Sequence, residues 1–293
     1  MKFLIIGTGY TAEMYSKALD FLSLEYLISS RNPKKDSIKT YSDINEINIT
    51  HAFICTPIDS HHKCIEWLVR NKIKNIYCEK PYSFNERNIP TDWQNFNIKI
   101  LQNRRYYDWV DAAKSICLEN GIKSIIAICP EKKSKNHKNL KEAIIGNSIH
   151  IFDLINYLTG SINKIKFKEF ENDIAIFNYQ STQCRSINLT CTLDSTINTE
   201  LKVLFENGNV LRISPIEEAF FSTSMRVIEP SKDCPSRTYK PNNEDFYIKN
   251  KNNVFKAGFL ELIRDIKDNK DAIKLPTIRE HVSLLKSIDQ MLL

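Results

Sequence analysis

Phe3-Leu-Ile-Ile-Gly7-Thr-Gly9-Tyr-Thr-Ala12 begins two residues into the chain. A short apolar run passes directly into Gly7-x-Gly9-x-x-Ala12 and then into a helical pattern over 13–22. Gly7 allows a tight strand-to-helix turn, Gly9 removes a Cβ that would block a pyrophosphate, and Ala12 lets the helix lie close to the strand. Backbone N–H groups at the helix start then face the phosphates, assisted by the positive end of the helix dipole. Only seven glycines occur in 293 residues, and two of them fall within three positions here. The stretch Gly7, Thr8, Gly9, Tyr10, Thr11 and Ala12 is therefore read as a dinucleotide-binding turn.

Outward from this turn, strand and helix patterns alternate. Leu24-Glu-Tyr-Leu-Ile28 reads as a second strand, and 42–47 as a short helix capped by Ser42. His51 to Cys55 is the next strand, ending at Thr56-Pro57. A helix over 60–71, a strand over 74–78 and another over 96–101 follow. This spacing implies parallel pairing, right-handed crossovers and a doubly wound sheet, with ligands at the carboxyl ends of the strands. Three marked features fall at such ends: the glycine turn, Thr56-Pro57 and Glu79-Lys80-Pro81.

The tip of the second strand reads Ile28-Ser29-Ser30-Arg31-Asn32-Pro33-Lys34-Lys35. No carboxylate stands there to accept hydrogen bonds from a ribose 2′-hydroxyl, whereas Ser30 and Arg31 suit a 2′-phosphate. NADP(H) is thus favoured, with NAD(H) as the alternative. Lys80, at the end of a core strand, is placed to polarise a carbonyl or stabilise a developing alkoxide, with Glu79 orienting it. The Lys80–Pro81 bond is a candidate for the cis form.

The formal charge of +6 is spread over 41 basic and 35 acidic side chains without a long block of one sign, so nucleic acid is not the expected partner. The eight cysteines show neither a CxxC pair nor zinc spacing, and several lie in apolar runs. They read as reduced thiols, with no metal expected. A chain starting on a core strand leaves no room for a signal peptide, and no stretch approaches a membrane span, so a soluble cytoplasmic protein is expected.

In the second half, Ser124 to Cys129 reads as a strand and 139–158 as a helix. Asn147, His150, Asp153 and Tyr157 recur there at spacings of three and four, which places them on one side. Strands over 164–170, 174–179, 186–193, 198–205 and 209–213 suggest a hairpin meander. Residues 229–253 read as loop, and helices over 256–268 and 277–293 complete the chain.

The glycine turn, Thr56-Pro57 with His61, Glu79-Lys80-Pro81 and Asn103-Arg-Arg105-Tyr106, in that order, resemble the Gfo/Idh/MocA oxidoreductases. The resemblance implies a Rossmann domain over 1–119, followed by an α+β domain over 120–293 with a large open, mostly antiparallel sheet. It further implies hydride transfer between a nicotinamide cofactor and a sugar, cyclitol or nucleotide-linked sugar. Lys80 would lie beside the nicotinamide, with Thr56, Pro57, His61 and Glu79 also on the cofactor. His150 and Asp153 match the family segment Asp-x-Gly-x-His-x-x-Asp, whose histidine is the usual acid/base. Gly146 stands where that Asp is common and Ser148 replaces the glycine, so Asn147 is a partial substitute. Arg105 and Tyr106 would line the substrate pocket, the arginine as an anion clamp. A homodimer or homotetramer is the implied assembly. Two rival expectations are a reductase of a non-sugar acceptor of biliverdin or imine type, which suits the missing Asp, and a non-catalytic module sensing nicotinamide.

Overall fold

The computed structural model describes residues 1–30, 37–38, 48–133, 138–242, 246–249, 254–268 and 274–293. Its first part comprises β1 (Lys2–Ile6), α1 (Tyr10–Phe21), β2 (Glu25–Ser29), β3 (Ser37–Ile38), β4 (His51–Ile54), α2 (His61–Arg70), β5 (Asn75–Glu79) and β6 (Asn97–Leu101). All five neighbouring pairs are parallel, in the order β3-β2-β1-β4-β5-β6. The run Phe3-Leu-Ile-Ile is at most 1% exposed throughout, as a central parallel strand covered on both faces requires. One face packs against α2 through Ile65 and Leu68, and the other against α1 through Tyr15, Ala18 and Leu19. The expected strands and helices of this half are present to within a few residues. The helix expected over 42–47 with its Ser42 cap, and Arg31 to Lys35, lie outside the described residues.

The second part comprises α3 (Val110–Asn120), β7 (Ile122–Glu131), α4 (Leu140–Ala143), α5 (Ile149–Thr159), β8 (Ile162–Phe170), β9 (Ile174–Ser181) and β10 (Cys184–Leu193). Then come β11 (Glu200–Phe205), β12 (Val210–Ile213), β13 (Glu218–Ser222), β14 (Met225–Ile228), β15 (Thr238–Pro241) and β16 (Phe246–Lys249). Eight of these strands form one sheet, ordered β16-β13-β12-β11-β7-β10-β9-β8. Every neighbouring pair is antiparallel except β7 with β10. Inward residues such as Ile125, Ala127, Leu189 and Val203 are at most 1% exposed and pack under α5. The reading of 229–253 as loop is corrected: β15 pairs with β14 in a separate two-stranded sheet, and β16 extends the large sheet. β14 is exposed along its whole length, so it carries no buried-face alternation for sequence to reveal.

Two helices close the chain, α6 (Phe259–Lys267) and α7 (Ile278–Leu292), the latter opened by a Thr277/Glu280 capping box. α6 buries Phe259, Leu262 and Ile263 against the first sheet beside α1. α7 serves both parts, since Ile278 and Val282 join the first core while Leu285 and Ile288 join the second. No helix among the described residues is long and apolar enough to cross a membrane.

Candidate functional site

At the turn from β1 into α1, Gly7 has φ +119°, and a Cβ there would lie 2.5 Å from the Cys55 carbonyl oxygen. A side chain is excluded on both counts, so the turn can lie against the end of β4 only with glycine. Gly7 N–H donates to Ser29 O at 2.8 Å and Cys55 N–H to Ile6 O at 2.8 Å, which ties the ends of three strands together. Gly9 is different: a Cβ there would meet nothing within 4 Å. Above Gly9 lies open space, and α1 starts with no side-chain cap on its free N–H groups. Open space over uncapped N–H groups fits a pyrophosphate. Ala12 is buried, Tyr10 is exposed, and Thr8 Oγ1 lies 3.5 Å from Ser30 Oγ at the tip of β2. Arg31 is outside the described residues.

From this turn a cleft of about 640 Å³ runs between the two parts, a size suited to small-molecule binding. Thr11, Thr56, Pro57 and His61 line it from the first part, together with Glu79 and Lys80. Gly146, Asn147 and His150 face them from the second. Lys80–Pro81 is cis. His61 spans the two loops, with Nδ1 3.0 Å from Pro81 O and Nε2 2.9 Å from Thr56 O. Burial lowers its pKa, and a neutral ring donates to one of these carbonyls at a time. His281, buried on α7, accepts the Tyr82 N–H at 3.2 Å, so a second histidine holds the same turn.

Lys80 Nζ donates to Gly146 O at 3.0 Å and to Asn147 Oδ1 at 3.4 Å. Gly146 and Asn147 lie in a π-helical stretch, Ile144–Ser148, between α4 and α5. Such a widened turn shifts the hydrogen-bond ladder, and it is frequent at functional sites. Asn147 is held in turn, its Nδ2 donating to Glu131 Oε2 at 2.8 Å while Ser148 Oγ donates to Glu131 Oε1 at 2.6 Å. The position where the family segment carries Asp thus supplies a backbone carbonyl to Lys80. The nearby carboxylate comes from β7.

Burial drives the electrostatics. It pushes Lys80 down to about 8, opposed by the Glu79 charge, and pushes Glu79 up to about 7, opposed by Lys80. His150 is held well below its ordinary value of 6.5, first by burial and then by the charges of Lys80, Arg104 and Lys256. Its Nδ1 lies 2.6 Å from Gln102 Oε1. With the amide oxygen toward the ring, Nδ1 is the donor and Nε2 keeps its lone pair. His150 is therefore held as a neutral ring whose Nε2 is free to accept a proton.

Arg105, Tyr106 and Asp153, expected to bind substrate, do not line this cleft. Arg105 donates to both Asp153 oxygens at 2.7 Å and to Lys274 O at 2.7 Å, so the guanidinium is engaged within the protein. Tyr106 Oη donates to Asp265 Oδ2 at 2.7 Å. Asp153 is 2% exposed and lines, with Arg105 and Tyr157, a separate cavity of about 610 Å³. Sequence reading missed Gln102, Arg104, Glu131 and Lys256. Gln102 directly follows the carboxyl end of β6, so the carboxyl-end rule that selected Lys80 was the available signal.

No protein-family model matches the chain, and no curated protein sequence matches it. Its architecture is similar to solved structures across its whole length. The dehydrogenase MviM from Clostridium difficile matches with a TM-score of 0.75 at 15% identity, covering 100% of this chain and 98% of that one. UDP-N-acetylglucosamine 3-dehydrogenase GnnA from Acidithiobacillus ferrooxidans matches with a TM-score of 0.73 at 12% identity, covering 100% and 95%. Myo-inositol 2-dehydrogenase from Lactobacillus plantarum matches with a TM-score of 0.70 at 15% identity, covering 100% and 96%. At such identities the likeness establishes the two-part fold: a Rossmann-type parallel sheet followed by a mixed eight-stranded sheet.

Proposed function

We propose that the protein is a nicotinamide-dependent oxidoreductase acting on a hydroxyl or ketone of a sugar, cyclitol or nucleotide-linked sugar. The observation that carries this reading is the meeting of Lys80 and a neutral His150 across a cleft that begins at the glycine turn. Solved structures of like fold support it, including a levoglucosan dehydrogenase in complex with NADH and levoglucosan. NADP(H) remains the favoured cofactor, because neither Ser29 nor Ser30 at the tip of β2 is a carboxylate.

The phosphates would be held by the N–H groups of 10–12 over Gly9, and the nicotinamide end by Thr56, Pro57 and the Glu79-Lys80 corner. When bound, the cofactor supplies or accepts the hydride. Nε2 of His150 takes the proton of the substrate hydroxyl on oxidation and returns it on reduction. The Lys80 ammonium stabilises negative charge developing on the same oxygen in a site with little water. Asn147, anchored by Glu131, keeps Lys80 aimed into the cleft. The expected assembly is a homodimer or homotetramer, through the outer face of the large sheet, where Ile126 is 44% and Phe167 52% exposed. A single-chain mass by sedimentation would contradict that assembly.

The test is turnover of a panel of sugars, cyclitols and their ketones with each nicotinamide cofactor, for wild type, Lys80→Met and His150→Ala. Lys80→Met is expected to lower kcat by about 10²- to 10³-fold, as loss of one oxyanion donor does, with the cofactor Kd retained. Wild-type turnover in that variant would remove Lys80 from the mechanism.

A further inference from the structure

Arg104 and Arg105 are neighbours on one short 3-10 turn, Asn103–Tyr106, yet they are placed differently. Arg105 is taken by Asp153. Arg104 lines the cleft, forms no ion pair among the described residues, and keeps Nη1 buried without a hydrogen-bond partner. Lys256 joins it from the loop before α6. Gly258, with φ +82°, brings that loop so close that a Cβ would lie 2.2 Å from Asn103 O, and Asn103 Nδ2 donates to Ala257 O at 3.1 Å. The exposed Lys256 ammonium forms no ion pair among the described residues and lies 5.7 Å from the Tyr10 ring and 5.9 Å from that of Phe259. Three carboxylates also line the cleft, Asp59, Glu79 and Glu217, and none pairs with either cation. Of the two lysines acting on Glu79, Lys80 weighs more than Lys256.

We propose that Arg104 and Lys256 read an oxyanion, a carboxylate or phosphate, carried by the substrate of this cleft. The inference rests on the oxidoreductase reading above and adds the charge of the substrate to it. A guanidinium presents paired donors that match either oxyanion, and a buried N–H of a charged group left unpartnered has lost its water without a replacement. An oxyanion in the cleft meets both cations, since Arg104 and Lys256 line the same cavity. It lies beside the reacting centre too, because both charges act on His150 and on Lys80.

Kinetics on matched pairs test this: a uronate or aldonate against its neutral parent, and a sugar phosphate against the same parent. These arms separate carboxylate from phosphate. One anionic series is expected to exceed its neutral parent in kcat/KM by at least about 10-fold, the worth of a charge-assisted hydrogen bond. Arg104→Met and Lys256→Met are expected to lose that preference, mainly through KM, and Arg104→Lys to keep part of it. Melting temperature and cofactor Kd report whether the variants remain folded and loaded. Neutral parents turned over as well as both anionic series, or a preference that survives in both Met variants, would overturn the proposal and leave the oxidoreductase reading standing. If cofactor binds but nothing is turned over, that reading fails. Calorimetric binding of the same anions to the loaded protein then decides the oxyanion site, which stands if binding weakens in Arg104→Met and falls if it does not.

Discussion

In the proposed reaction a lysine and a histidine carry the chemistry, and their surroundings leave the first charged and the second neutral. Lys80 has a folded pKa of about 8, below the ordinary 10.5, because burial penalises the ammonium. Its cation is complete at lower pH and is lost as pH rises through about 8. His150 is displaced in the same direction, so it remains an acceptor well below its ordinary 6.5. Alcohol oxidation is therefore expected to show an alkaline limb near 8 and no acid limb at 6.5. Lys80→Arg should move the alkaline limb upward, since arginine keeps its proton. A pH profile of kcat/KM provides the check. An acid limb at the ordinary histidine value, with no alkaline limb, would reverse the assignment of His150 as a neutral base.

Elements place these residues, and not all of that placement is visible in sequence. The β1–α1 turn is a local device in which Gly7 answers the close approach of Cys55 and Ala12 is buried against the sheet, so its shape was legible. The strand-end positions of Lys80 and Thr56-Pro57 were legible because β4 and β5 run parallel. The choice between Arg104 and Arg105 was not, because consecutive residues of a 3-10 turn point apart and only α5 decides which one meets a carboxylate. For Asp153 the spacing marks only the helix face, and its pairing with Arg105 on Asn103–Tyr106 was not visible in it. β14 and β15 were lost because they bury too little to leave a periodic trace. The Arg105–Asp153 pair joins two elements in a setting with Asp153 2% exposed, and removing one partner leaves the other charge buried alone. Asp153→Ala is expected to cost about 3–5 kcal/mol of stability, read as a lowered urea midpoint. An unchanged midpoint would show that the pair does not lock the turn to the helix.

At the scale of the whole molecule, the cleft exists because the two sheets are fastened across it from behind. α6 and α7 return to the first core after the large sheet is complete, and α7 contributes to both. His281 reaches from α7 to the turn after Lys80, and Gly258 seats the loop carrying Lys256 against Asn103. The facing residues of the site therefore depend on the full chain rather than on either sheet alone. All of this depends on a dinucleotide lying over Gly9. Fluorescence titration of the intact protein with NADPH and NADH, alongside a Gly9→Val variant, tests that dependence most directly. The expected result is saturable binding to wild type, tighter for NADPH, and loss of binding in Gly9→Val with the melting temperature little changed, because a Cβ at Gly9 meets no protein atom within 4 Å. Binding of neither cofactor to wild type, or equal binding to the variant, would contradict it.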